Sequence, residues 1–297
     1  MSFDLTLTNS GIRYEKDVIT AKLSSIKAGG IADYVIYPKS TEEIVLSYRI
    51  ARNYEKRIMT VGNMTNTVFS DNGFRGALIS TKALNDHYSV SSGVLYADAG
   101  VPLPTLINTC ARGGIRISAG LSGIPATVAG AIKNNAGAFG ESVSDILTAV
   151  KIYSPDTDAL FTLSAAECDM SYRSSVFKNN NFVILGAYLK YHADEKNAIL
   201  EDISRYREQR RASQPHEPSL GSFFKNPRGQ HASYLIDHCG LKGRRIGGAE
   251  VSQKHAGFIV NRSNASFADI KSLSDLVISE VFSATGYILE REAELIN

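Results

Sequence analysis

Between Ala32 and Val61 the apolar positions change period twice. A short apolar run, Ala32 to Pro38 (ADYVIYP), gives way to a stretch in which Ile44, Tyr48 and Ala51 recur at helical spacing, and a second run, Ile58 to Val61 (IMTV), follows. Ser40 and Glu43 stand at the spacing of a capping box, which places the helix start. This order predicts a strand, a helix and a strand. The residues after the second strand, Gly62 to Asn66 (GNMTN), then fall where such units present backbone amides to a ligand. Further apolar runs predict strands at Ala77 to Ile79, Leu95 to Ala97, Lys151 to Tyr153 and Phe182 to Leu189, so a mixed α+β body extends to about residue 190.

Beyond it, His192 to Asn197 is polar and reads as a connector into a charged helix, Ile203 to Ala212, whose Arg205, Arg207, Arg210 and Arg211 read as a solvated face. A helix is expected at Ala232 to His238, closed by Gly240, and a strand at Phe258 to Asn261. The last helix takes Ser266 and Asp269 as its N-terminal acceptor and charge, Ile270, Leu273, Val277 and Val281 as its apolar stripe, and Gly286 as its C-cap. Together these elements predict a second domain of ordinary size.

Composition narrows the function classes. The 297 residues are 43% hydrophobic, enough for two or three cores, and a formal net charge of +2 supplies no global field for a polyanion, so nucleic acid is not the expected partner. No run approaches the apolar length of a membrane span and the first residues lack a leader pattern, so a cytoplasmic protein without membrane attachment is expected. Cys110, Cys168 and Cys239 are too scattered for a disulfide framework, and the six histidines show no metal-ligand spacing; no metal is expected.

Chemistry concentrates in three places. Ala119 to Gly140 interleaves five glycines with alanines and other small residues, which suits close backbone approach to a flat or charged ligand, or else a tightly packed turn. From Ser219 to Asn261, small, hydroxyl, amide and basic residues crowd around Ser222, which lies between Gly221 and two aromatics. Its hydroxyl suits a nucleophile with Lys225 as base, a proton donor, or a turn residue; the bare SxxK spacing lacks the companion motifs of penicillin-binding enzymes. Near the C-terminus, Glu290, Glu292 and Glu294 alternate, so an extended strand would align three carboxylates on one face, as a solvated edge or as a set that raises one pKa. Arg173 in MSYRSSVFK is a lone guanidinium suited to pairing a carboxylate or clamping an anion.

The identity and order of SSIKAGGIADYVIYP, YRSS, GSFFKNP, LKGRRIGGAEVSQKHAGFIVN and LEREAEL resemble the UDP-N-acetylenolpyruvoylglucosamine reductases from Ser24 to Leu295, in the shorter form without the extra substrate-capping loop. The resemblance implies an α+β fold: a two-part FAD-binding region of the vanillyl-alcohol-oxidase type, halves at 1–82 and 83–195, and a smaller α+β substrate-binding domain at 196–297. It implies non-covalent FAD, NADPH as hydride donor, a UDP-sugar substrate reduced to UDP-N-acetylmuramate for peptidoglycan precursors, and no assignable oligomeric state, with a monomer slightly favoured. By the same resemblance Ser222 matches the proton donor, and Arg173 and Glu292 the pair that stabilises the developing enolate. Gly29, Gly30, Gly62, Asn63, Met64, Thr65, Asn66, Gly123, Ile124, Pro125, Ala126, Thr127 and Gly130 border the FAD, while Asn226, Lys254 and His255 fall in substrate-side motifs.

The chain departs from the family pattern on the cofactor side. Met64 replaces the central glycine of the first flavin loop, and Ala126 and Ala129 replace two glycines of the second. A side chain at any position needing positive φ costs roughly 1 to 2 kcal/mol. The stretch QPHEPSLGS is one residue shorter than the usual spacing, and Leu220 replaces a smaller residue before Gly221. A flavin-free homologue that binds the UDP-sugar is the alternative these changes raise.

Overall fold

The structure is a computed structural model that describes all residues except Met1, Asp86 and Ser92. The opening strand is Ile31–Ile36, the helix Thr41–Asn53 and the second strand Ile58–Val61, as the hydrophobic pattern predicts. Ser40 Oγ accepts from Glu43 N at 3.2 Å, but the Glu43 carboxylate accepts from Lys39 N, one residue before the capping-box position. Ile44, Tyr48 and Ala51 are buried, as their spacing requires. The two strands flanking the helix are not neighbours. The sheet order is Tyr14–Ile19, Ile31–Ile36, Phe74–Ser80, Ile58–Val61, and the last two run parallel with Ile58 opposite Ala77 and Val61 opposite Ser80.

The chain divides into two compact units that interleave in sequence. One comprises Met1–Lys16, Tyr34–Asn63 and Gly76–Arg210; the other Asp17–Asp33, Met64–Arg75 and Arg211–Asn297.

The first unit carries a five-stranded antiparallel sheet ordered Ala159–Ser164, Leu147–Ser154, Val183–Lys190, Val94–Asp98, Tyr88–Ser91. Its central strand, Val183–Lys190, is buried along most of its length and so reads as a continuous apolar run. The two edge strands are mostly exposed and lack alternation, which is why the pattern predicts neither. The helix Leu103–Arg112, unpredicted, starts at prolines 102 and 104 and buries Leu103, Leu106, Ile107, Cys110 and Ala111 in the same core. A smaller core packs Phe3 and Leu7 of the Phe3–Ser10 helix against Ile36, Ile50 and Ala77.

After this sheet in the chain comes the helix Lys196–Ser213, which begins earlier than expected; the predicted connector contains a short strand, His192–Ala193, paired with Ile115–Arg116. The apolar stripe Ile199, Ile203, Tyr206 continues at Arg210, so the arginines do not share one environment. Arg205, Arg207 and Arg211 are exposed, whereas Arg210 is half-buried with its guanidinium 5.7 Å from the Phe139 ring centre, and burial lowers its pKa. A Cβ on Gly123 would stand 2.7 Å from Arg210 Nε, so a side chain there would have to displace the arginine.

The second unit packs the helices Ala232–His238 and Phe267–Thr285 on a three-stranded antiparallel sheet, Arg245–Ile246, Ala249–Val251 and Ile259–Asn261. Phe223, Leu273 and Val277 are fully buried here, each contributing roughly 1.5 to 3 kcal/mol. Ser266 and Asp269 form a capping box, Gly286 ends the helix in the left-handed conformation (φ 76°), and Asp71 adds two hydrogen bonds, from Phe267 N at 2.8 Å and Ala268 N at 3.0 Å. Asp71 is thus a helix cap. The C-terminal glutamates do not form one strand: the strand is Glu294–Ile296, parallel to Thr67–Phe69. Residues 290–292 instead lie against residues 223–225, with Phe224 opposite Arg291.

Candidate active site

In the first unit, two glycine-bearing loops far apart in sequence converge. Asn63 Nδ2 donates to Pro125 O at 3.0 Å, and a Cβ on Gly62 would meet Thr127 Oγ1 at 2.8 Å. Thr127 in turn caps the short helix Val128–Lys133 by accepting from Gly130 N at 3.2 Å. The residues leading into this loop are tied down by Glu141, whose carboxylate accepts from Ser118 Oγ and from Gly120 N. Ile124 packs against the main core beside it.

Arg173 lies in this unit with a backbone φ of 53°. Its guanidinium donates to Gly137 O at 3.0 Å and to Asn135 O at 3.4 Å, and lies 5.3 Å from the Tyr172 ring centre. A long side chain held in the left-handed region is the kind of local strain that functional positions carry.

In the second unit, Met64 continues the first loop with φ 51° and is 5% exposed. Ala126 and Ala129 are absent from the residues with positive φ, so only Met64 carries the backbone cost the departures raise. The amides of Asn63, Met64, Thr65 and Asn66 donate to no protein group among the described residues, while Met64 O accepts from Ser25 N at 3.2 Å. Gly29 and Gly30 have a packing reason of their own: a Cβ would stand 2.4 Å from Thr20 Oγ1 at the first and 2.3 Å from Asp71 O at the second.

The same unit brings Ser222 and Glu292 onto adjacent extended segments. Phe223 N donates to Gly257 O at 2.7 Å, and Phe223 O accepts from Glu292 N at 2.9 Å. Ser222, next to this doubly held residue, is exposed, and its hydroxyl has no partner among the described residues. Asn66 brackets Glu292, donating through Nδ2 to Glu292 O at 3.0 Å and accepting from Glu294 N at 2.8 Å. Lys225 pairs with the exposed Glu290 at 3.0 Å, a surface ion pair worth at most about 1 kcal/mol. Asn226 Oδ1 accepts from Ala232 N at 3.0 Å, at the start of the Ala232–His238 helix. Lys254 donates to Arg211 O, and burial holds the His255 imidazole below its ordinary pKa.

Residues 32–161 match the FAD binding domain family, and residues 214–296 match the C-terminal domain of UDP-N-acetylenolpyruvoylglucosamine reductase. The reductase of that name from Caldicellulosiruptor bescii is 34% identical over 299 residues, covering 100% of this chain and 95% of the relative. The chain belongs to the UDP-N-acetylenolpyruvoylglucosamine reductase family. A second family member, from Carboxydothermus hydrogenoformans, is 38% identical over 277 residues, covering 93% of this chain and 91% of its own. The crystal structure of the reductase from Thermus caldophilus superposes with a TM-score of 0.82 at 31% identity, covering 96% of this chain and all of that one. A Physcomitrella patens BBE-like protein shares the fold alone, with a TM-score of 0.51 at 15% identity over 65% of this chain and 45% of its own. The fold is therefore α+β, with a two-part FAD-binding region and a C-terminal reductase domain, and the protein is an FAD-using oxidoreductase.

Proposed function

We propose that the protein reduces the enolpyruvyl ether of UDP-N-acetylglucosamine to UDP-N-acetylmuramate at the expense of NADPH, as a cytoplasmic step of peptidoglycan precursor synthesis. The observation that carries this reading is Ser222: an exposed hydroxyl with no partner among the described residues, beside a backbone clamp that also holds Glu292. The loop residues fit FAD, because four consecutive amides from Asn63 to Asn66 are unspent among the described residues, as an anion-cradling turn requires. Gly62 to Asn66 and Gly123, Ile124, Pro125, Ala126, Thr127 and Gly130 would hold it, with Gly29 and Gly30 at the entrance of the first half, the two halves of the FAD-binding region being 1–82 and 83–195. Bound FAD supplies the hydride that NADPH provides and the enolpyruvyl C3 receives.

The remaining chemistry belongs to side chains. Ser222 donates its proton to C2 and is reprotonated from solvent, so one hydride and one proton saturate the double bond. Arg173, with Glu292 acting as a neutral acid that donates a hydrogen bond, stabilises the enolate that precedes protonation; removing one such group typically costs roughly 3 to 4 kcal/mol. Asn226, Lys254 and His255 lie on the substrate side, in the proposed domain at 196–297.

The test is substrate-dependent NADPH oxidation by the yellow, FAD-loaded protein. Ser222→Ala is expected to lower kcat by at least about a hundredfold while leaving the flavin spectrum intact. Colourless protein that takes up no flavin, or unchanged turnover in Ser222→Ala, overturns the reading; the first outcome points to a flavin-free UDP-sugar binder.

A further inference from the structure

Ser222 is positioned through its neighbour, and the groups that position it converge on one histidine. The turn joining Ala249–Val251 to Ile259–Asn261 closes when Ser252 N donates to Phe258 O at 2.9 Å and Ser252 Oγ accepts from Lys254 N at 3.2 Å and His255 N at 3.4 Å. Within it His255 holds both peptide groups flanking Gly257. Its ring Nδ1 accepts from Gly257 N at 3.2 Å, and its carbonyl accepts from Phe258 N at 3.0 Å. The ring is seated edge-on against Phe258, centres 4.9 Å apart. A Cβ on Gly257 would stand 3.1 Å from His255 Cε1 and 3.2 Å from Nδ1, so imidazole and glycine fit closely.

With both flanking peptides fixed, the Gly257 carbonyl has one direction, toward Phe223 N at 2.7 Å. That bond fixes the peptide joining Ser222 to Phe223. Phe223 O in turn accepts from Glu292 N at 2.9 Å, so one chain of bonds runs from the His255 ring through Gly257 and Phe223 to the backbone of Glu292.

We propose that His255 is a positioning residue for Ser222 and Glu292, acting through Gly257 as a hydrogen-bond acceptor and not as an acid or a substrate ligand. The proposal rests on the reading of Ser222 as proton donor. Burial, with Lys242 opposing a further positive charge, holds His255 below its ordinary pKa, which keeps the Nδ1 lone pair available at neutral pH. The role requires an acceptor at one point in space and nothing else from the ring. An asparagine Oδ1 reaches about the place of histidine Nδ1, whereas a leucine fills similar volume with no acceptor.

The experiment compares His255→Asn, His255→Leu and Ser222→Ala in the full-length, FAD-loaded protein, reading kcat and KM for the enolpyruvyl UDP-sugar and amide exchange of Phe223. His255→Leu is expected to lower kcat by roughly ten- to a hundredfold with KM within about twofold, and to speed Phe223 exchange by about tenfold or more. His255→Asn is expected to restore both. An Asn variant as impaired as the Leu variant, or a Leu variant with wild-type kcat and exchange, overturns the proposal. If His255→Leu fails to fold, His255→Gln, which moves the acceptor by one methylene, takes its place with the same expectations. Wild-type kcat in Ser222→Ala instead defeats the proton-donor reading, so the two failures are distinguishable.

Discussion

Met64 occupies a left-handed backbone conformation (φ 51°) with its side chain almost wholly buried. Two effects oppose each other there. A side chain at that φ costs roughly 1 to 2 kcal/mol, while burying a methionine returns roughly 1.5 to 3 kcal/mol. Met64→Ala keeps the strain and loses the burial; Met64→Gly loses the burial and relieves the strain. Urea unfolding is therefore expected to rank wild type above Met64→Gly, and Met64→Gly above Met64→Ala by about 1 kcal/mol; Ala at or above Gly would show that the loop relaxes around its backbone. The unusual residue was visible in the sequence, but whether its position needed positive φ was not. The same uncertainty covered Ala126 and Ala129, which turn out unstrained because they lie in ordinary backbone regions. Arg210 was legible and misread: Ile199, Ile203 and Tyr206 define an apolar stripe that reaches it, yet charge count alone placed it with its solvated neighbours.

At the level of elements, the Phe267–Thr285 helix was readable from both caps and its stripe, since those signals are local. Its second cap was not, because Asp71 is remote in sequence and only the fold delivers it. Asp71→Ala is expected to destabilise the protein by about 1 to 2 kcal/mol in urea, within the usual span for a lost cap; no change would mean water replaces both bonds. Asp269 carries a pH signature. The backbone N–H of Ser266, aided by Gly248 N, holds its pKa below the ordinary carboxylate value against some desolvation. Its stabilisation is thus present above the unfolded pKa of about 3.9 and lost as pH falls through the lower folded value. The stability penalty of Asp269→Asn, measured in urea, should accordingly be constant above about pH 5 and shrink below about pH 4; a penalty independent of pH would remove the charge from the explanation. Edge strands and the C-terminal glutamates were not legible, since exposed strands carry no alternation and residues 290–292 are extended only by pairing with residues 223–225. Of the candidate site, Ser222 and Glu292 were named by motif, and their backbone linkage through Phe223 emerged only in three dimensions.

For the molecule as a whole, cofactor and stability are linked. A ligand that binds only the native state at a hundred times its Kd stabilises it by about 2.7 kcal/mol, which for a chain of this length raises the melting midpoint by roughly 4 °C. Saturating FAD added to stripped protein should produce a shift of that order in scanning calorimetry, and an unmoved midpoint would mean that Met64 has cost the loop its ligand.

The interleaving of the two units also sets an order in time. Among the described residues Thr67–Phe69 has one partner strand, Glu294–Ile296, and Asn66 is anchored by Glu292 and Glu294. On a ribosome adding about 5 to 20 residues per second, those partners follow by roughly ten to forty seconds. Throughout that interval Thr67–Phe69 lacks the strand it pairs with, so the second unit is completed only after synthesis has passed residue 296.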